Sequence, residues 1–297
     1  MFQRIGTGFS LAKQSWGVLK SEKQLIMFPL LSGICCLMVM ATFAIPLLLA
    51  GGGADLVAEA EQQGQAGADA DMQNPLYLVV LFLFYFVNYF VVVFFNSALI
   101  ACAIKRFYGG KPTVGEGIKA SMARLPQIAG WALVSASVGL LLRVIESRSE
   151  RVGAIVSSLI GMAWSALTYF VVPVLVVEKV GPITAVKRSG EILRKSWGES
   201  MGAHIGIGFA VLLAMLPCIG LVIGGGFLLG VSVPLGIFVI VIGVIAVLVV
   251  SLISSALSAI SQAAIYLYGS SGDTPEGFDK ECLAVAFAPR RRRGMAS

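Results

Sequence analysis

Charged positions along this chain come in clusters, and the intervals between the clusters are long and apolar. No Asp, Glu, Lys or Arg occurs between Glu199 and Asp273, and shorter charge-free runs fill 24–50, 76–104, 125–142 and 152–177. A bilayer core is roughly 30 Å thick, so a helix rising 1.5 Å per residue needs about 20 apolar residues to cross it. Each run except 125–142 meets that length, and the longest has room for two crossings. The pattern predicts spans over 25–50, 76–104, 126–143, 153–177, 203–229 and 233–267. The last is longer than a bilayer requires, so tilt or projection into the cytoplasm is expected. Pro217 and Gly224-Gly225-Gly226 are places where the fifth span is open to a kink or break.

Shorter stretches carry a different period. Ile5, Phe9, Ala12, Trp16 and Leu19 fall on one helical face, as do Val114, Ile118, Met122 and Leu125. Thr113 and Glu116 have the spacing of a capping box, which satisfies free N–H groups at a helix start. A third such helix opens at Gly181-Pro182, with Val186, Gly190, Leu193 and Trp197 as its stripe. A fourth is expected after the last span, with Thr274 as cap, Pro275 first, then Phe278, Cys282 and Val285. These helices are too short and too charged to span. They read as interfacial, with Trp16 and Trp197 as anchors at headgroup level.

The expected fold is therefore all-α: a polytopic integral membrane protein with six transmembrane helices. They form three parallel hairpins, each introduced by a cytoplasmic interfacial amphipathic helix. The repeat units are about 1–105, 106–177 and 178–268 of one membrane domain, with an extracytoplasmic acidic loop at 51–75 and a tail at 269–297. Local echoes support repetition, such as Leu11–Gly17 beside Ile192–Gly198, and Ser97-Ala-Leu to Gly109 beside Ser255-Ala-Leu to Gly269.

Composition sharpens this in three ways. Hydrophobic residues make up 57% and charged residues 13% of 297, which leaves little for a separate soluble domain. The apolar run nearest the start begins only after Lys23 and reads as a retained span, not a signal peptide. Lys and Arg gather before the first span, at 105–124, at 178–201 and in the tail. The remaining connections hold Arg143, Arg148 and Arg151, while 51–75 holds five acids and no base. Cytoplasmic loops accumulate Lys and Arg, so both termini are expected in the cytoplasm. The net charge of +6 then reflects anionic headgroups as partners, not nucleic acid. Four of the five cysteines sit in apolar runs and read as small buried hydrophobes.

Catalytic chemistry finds no support. His204 is the single histidine, the spans contain no Asp or Glu, and neither a G-x-S-x-G nor a phosphate-binding loop occurs. No cofactor or metal is implied. Two arrangements remain. Asn88, Asn96, Ser251, Ser254, Ser255, Ser258, Ser261 and Gln262 form a candidate polar seam that either lines a path or packs helices. Packing is likewise the reading for the Gly-x-x-x-Gly pairs 202/206, 220/224 and 226/230. Lys187, Arg188, Arg194 and Lys195 form a candidate cytoplasmic basic surface.

The segments Asn96–Gly110, Trp164, Pro173–Glu178, Gly181-Pro182, Ala185–Ser189, Trp197-Gly198 and Thr274–Asp279 resemble those of an uncharacterised family of polytopic bacterial membrane proteins. More distantly, a Pro at a span's end, an acid, and Ala-x-x-x-Ser on a helix are similar to the membrane domain attached to some glycerophosphodiester phosphodiesterases. The resemblance implies a bacterial plasma membrane and no known reaction. The functional expectation is a non-catalytic scaffold or accessory subunit that engages membrane lipids, a protein partner or a second copy. The alternative is a channel or transporter for an uncharged or amphiphilic, lipid-like solute.

Overall fold

A computed structural model describes residues 2–50, 75–147, 152–230, 232–280 and 283. All its regular structure is helical. In chain order it comprises α1 (Phe2–Ser21), a 3-10 turn (Lys23–Ile26), α2 (Met27–Ala50), α3 (Pro75–Phe107), α4 (Val114–Met122), α5 (Leu125–Ser147), α6 (Val152–Leu167), α7 (Val171–Glu178), α8 (Pro182–Leu228) and α9 (Val233–Ser271). Six stretches are long and apolar enough to cross a membrane: Lys23–Ile45, Leu78–Phe107, Leu125–Ile145, Ile155–Glu178, Val211–Leu228 and Val233–Ser271. Most of their side chains are unburied by protein, as expected of helices whose solvent is lipid. The loop 51–74 and the arginines 290–293 lie outside the described residues.

The chain gathers into two compact units. The first holds Met1–Pro29, Leu99–Gly117 and Glu191–Ser297; the second holds Leu30–Ala98 and Ile118–Gly190.

In the second unit, α5 and α6 pair, with Trp131 stacked on Trp164 at 5.9 Å between ring centroids. The fourth span is not one helix. It breaks at Thr168–Phe170, and the cause is local. Pro173 has no N–H to give Tyr169, and its ring crowds the carbonyl four residues back, so the helix must restart. In the restarted α7, Pro173 sits in the first turn, where no bond is lost. The break exposes a donor and an acceptor, and Ser189 takes both. Its buried Oγ accepts from Phe170 N–H (3.0 Å) and donates to Leu167 O (2.6 Å). The Ala185-x-x-x-Ser189 motif thus has a structural reason, since Ala185 is fully buried one turn earlier. α7 ends on Lys179 in the left-handed region (φ 60°).

The third amphipathic helix and the fifth span are not separate. α8 begins at Pro182 as predicted and continues to Leu228, passing Pro217 without interruption. The glycine triplet ends no helix either.

In the first unit, α8 and α9 form a hairpin, with Leu229 and Gly230 in a turn directly after α8. Its close approach uses Gly225, Gly236 and Gly243. A Cβ on Gly236 would lie 2.7 Å from the Leu229 amide nitrogen, and one on Gly243 would lie 2.7 Å from Val222 Cγ2. Gly220, Gly224 and Gly226, from the Gly-x-x-x-Gly pairs, face open space instead. The surroundings of Gly202 and Gly206 lie outside what is described.

α9 has two halves. Its first 20 residues, about 30 Å of rise, bury only Gly236 and Gly243. From Ala256 onward it buries a dense series: Ala259, Ile260, Ser261, Ala263, Ala264, Ile265, Tyr266 and Leu267. α9 runs on through Gly269 to its cap at Gly272 (φ +77°), whereas α3 stops at Phe107 and turns at its own Gly109 (φ +77°). The echoed sequences therefore stop at different points.

Cys102 and Cys218 are buried as expected, whereas Cys35 and Cys36 are half-exposed; Cys282 lies outside the described residues.

Candidate functional site

The packed half of α9 is wrapped by a collar built from both ends of the chain. α1 lies along it. The buried face of α1 is Leu11, Ala12, Ser15, Val18 and Leu19. The predicted stripe is thus split: Ala12 and Leu19 turn inward, while Phe9 and Trp16 stay 62% and 46% exposed. The reason is that the apolar arc is wider than one contact, and α9 occupies one flank of it. Trp16 keeps its place as a candidate interfacial anchor. Trp197 is in α8, but its side chain lies outside the described residues.

Polar bonds tie the collar together. Ser15 Oγ and Ser261 Oγ meet at 2.7 Å in a buried contact. Gln14 Nε2 donates to Asp279 Oδ2 at 2.7 Å, and Asp279 N–H returns a bond to Gln14 Oε1 at 3.4 Å. Arg106 binds Glu276 Oε2 at 3.0 Å and faces Glu22 at 3.7 Å, so one guanidinium joins α3 to both chain ends. Phe107 and Phe278 pack edge to face at 5.6 Å, and Glu276 N–H donates to Phe107 O at 3.2 Å.

These contacts overturn the fourth amphipathic helix at its start. Residues 274–278 are a turn, not a helix, because Phe278 is drawn to Phe107 and Gly277 takes φ +91°, closed to other residues. Helical bonding begins later, with Leu283 N–H to Asp279 O at 3.1 Å. Residues 282 and 285 lie outside the described residues.

The capping box is present as read. Thr113 N–H donates to Glu116 Oε2 (2.9 Å) and Glu116 N–H to Thr113 Oγ1 (3.3 Å). Lys105 Nζ adds a bond to each Glu116 oxygen at 2.8 Å. The Lys105 ammonium first, and the Thr113 amide second, hold Glu116 below the ordinary carboxylate range.

The polar seam is divided. Asn88 and Asn96 are half-buried in the second unit, and Asn88 Nδ2 donates to its own helix at Phe84 O (2.9 Å). The serines are in the first unit. Ser251 and Ser255 are exposed, Ser254, Ser258 and Gln262 half-buried, and Ser261 fully engaged with Ser15. In the basic set, Lys187 and Arg194 are exposed, and Arg188 is paired with Glu178 at 3.0 Å. The Lys195 side chain and His204 lie outside the described side chains. Among the described residues, no three His, Cys, Asp or Glu side chains converge as a metal site would require.

The Ser15–Ser261 bond makes a sharp expectation. Ser15→Ala or Ser261→Ala alone strands one buried hydroxyl and should cost about 1–3 kcal/mol. The double alanine variant strands neither and should recover most of that loss. Thermal unfolding of the four proteins in lipid discs measures the coupling, and strictly additive losses would deny it.

The collar also contains a groove of about 280 Å³ lined by Trp16, Leu19, Lys20, Lys23, Ile26 and Ile253. The sequence marks Trp16 but not the groove, since Ile253 is over two hundred residues distant from the other five. No curated protein matches the chain. A model described as a family of unknown function (DUF6159) matches residues 75–277, more than half of the molecule. The six long apolar helices and this match together make the chain a multi-pass membrane protein belonging to that family.

Proposed function

We propose that this protein is a non-catalytic scaffold or accessory subunit of a bacterial plasma membrane. Both termini face the cytoplasm, and the basic end engages anionic lipid or a protein partner. One observation carries the reading. Buried packing in the first unit is concentrated in the collar, whose segments carry exposed Lys13, Lys20, Lys23 and Lys111, while Lys105 and Arg106 are paired with Glu116 and Glu276. A packed platform bearing exposed lysines, joined to the sparsely packed spans of the same unit, suits docking better than passage of a solute.

The transport alternative draws less support. Counted from Val233 along an upright α9, Ser254 to Gln262 fall beyond a bilayer core, and Ser261 serves the collar. The similarity to the membrane domain of some glycerophosphodiester phosphodiesterases supports the same non-catalytic reading.

Orientation is tested by single cysteines in a cysteine-free background. Gln65→Cys should react with a membrane-impermeant thiol reagent on intact cells, and Lys111→Cys should not. The reverse pattern overturns the placement. Engagement is tested by charge reversal at Lys187 and Arg194, leaving Arg188 intact because Glu178 needs it. Extracted in native-lipid discs, the Lys187→Glu/Arg194→Glu variant should lose a co-purifying partner or shift its lipid profile. Identical proteins and lipids in mass spectra of the two would count against the proposal.

A further inference from the structure

The groove in the collar has a composition that selects one class of occupant. Trp16, Leu19, Ile26 and Ile253 give it apolar walls, completed by Lys20 and Lys23, which line it almost entirely with their carbon stems. Neither lysine pairs with a carboxylate among the described residues. The nearest acid in sequence, Glu22, is engaged by Arg106. The groove is therefore an apolar slot with the stems of two exposed lysines along it, and their ammonium groups have no carboxylate partner among the described residues.

Its level in the membrane follows from two elements independently. Lys23 opens the first candidate span, so it stands where the apolar layer begins. Ile253 lies 20 residues from Val233, about 30 Å along α9, which is the thickness of the hydrocarbon layer. Both place the groove at the boundary between acyl chains and headgroups. Trp16 is 46% exposed at this level, where its amphipathic ring belongs.

We infer that this groove seats an anionic phospholipid. Lys20 and Lys23 hold the headgroup phosphate, and Trp16, Leu19, Ile26 and Ile253 receive the start of one acyl chain. At about 280 Å³ the space is at the small end of ligand pockets, too small for a whole lipid. The remaining chain lies in the bilayer, which costs nothing in desolvation. This inference rests on the reading that the basic end meets anionic lipid, and it narrows that reading to one place.

The test uses the full chain in phosphatidylcholine vesicles containing phosphatidylglycerol, with bromine on the acyl chains of one lipid at a time. Bromine quenches tryptophan emission on contact, and subtracting the Trp16→Phe protein isolates the Trp16 signal from the other three tryptophans. Brominated phosphatidylglycerol should quench that signal well above brominated phosphatidylcholine. Lys20→Gln/Lys23→Gln should reduce the preference roughly 10- to 30-fold, two cations at a membrane surface being lost. Ile253→Phe, which fills the floor and keeps both lysines, should also lower quenching by phosphatidylglycerol. Circular dichroism confirms folding of each variant. A preference that survives both substitutions overturns the site while leaving the basic-end reading in place. No preference in the unaltered protein overturns both.

Discussion

Gly243→Ala should destabilise the protein by about 1–3 kcal/mol, whereas Gly224→Ala should leave it unchanged or raise its stability by up to about 1 kcal/mol. The two glycines lie in the same hairpin, and a sequence reading favours Gly224 as the packing residue because it belongs to a Gly-x-x-x-Gly pair. The structure reverses that choice. A Cβ on Gly243 would stand 2.7 Å from Val222 Cγ2, 2.9 Å from the Val222 amide nitrogen and 3.2 Å from Leu221 Cβ. A side chain tip can rotate away, but the backbone nitrogen cannot, so α8 and α9 must separate. Gly236→Ala meets the same obstacle at the Leu229 nitrogen. A methyl on Gly224 meets nothing within 4 Å, and alanine lowers the entropic cost of the helix. Thermal unfolding in lipid discs compares the variants, and a loss at Gly224 equal to that at Gly243 would show the hairpin register to be different.

Ser189→Ala should have a comparable effect for an unrelated reason. One hydroxyl oxygen serves both sides of the break in the fourth span, and alanine leaves Phe170 N–H and Leu167 C=O bare in a buried place. Each stranded group costs about 1–3 kcal/mol. Ser189 is wholly buried, so water is not at hand to replace the hydroxyl. A cavity effect alone would be small, since only an oxygen is removed. Hydrogen exchange at the Phe170 amide separates the two causes. It should accelerate in Ser189→Ala more than exchange at Val174, whose N–H is held by Phe170 O at 3.0 Å. Unchanged protection at Phe170 would remove Ser189 from this role.

Much of the fold is legible in the sequence because a bilayer imposes a length and a polarity at once. Gaps between charges locate all six spans, and two local chemistries, the Thr113/Glu116 box and Pro182 at a helix start, place helix ends correctly. What escapes is whatever depends on distant partners. Pro173 is visible in the sequence, but that its break is tolerable depends on Ser189, sixteen residues later. Thr274-Pro275 has the local signature of a helix start, and the signature loses to Phe107, which recruits Phe278 into a turn. The stripe on α1 marks an apolar arc without saying which flank meets protein. The candidate site shows the same division. Trp16, Lys20 and Lys23 are readable as an interfacial segment, whereas Ile253 looks like one more lipid-facing residue of a long span until α1 is seen beside it.

The Ser15–Ser261 bond joins residues 246 positions apart, and Gln14 reaches Asp279 across 265. A ribosome adding about 5–20 residues per second needs roughly 10–50 s to supply the second partner after the first. For most of that interval α1 exists without α9, its apolar arc whole and Lys20 and Lys23 close by. The membrane surface is the one apolar phase then within reach. The flank that later closes on α9 is therefore free to meet lipid first, and completing the collar then amounts to exchanging lipid for protein along Leu11, Ser15 and Val18.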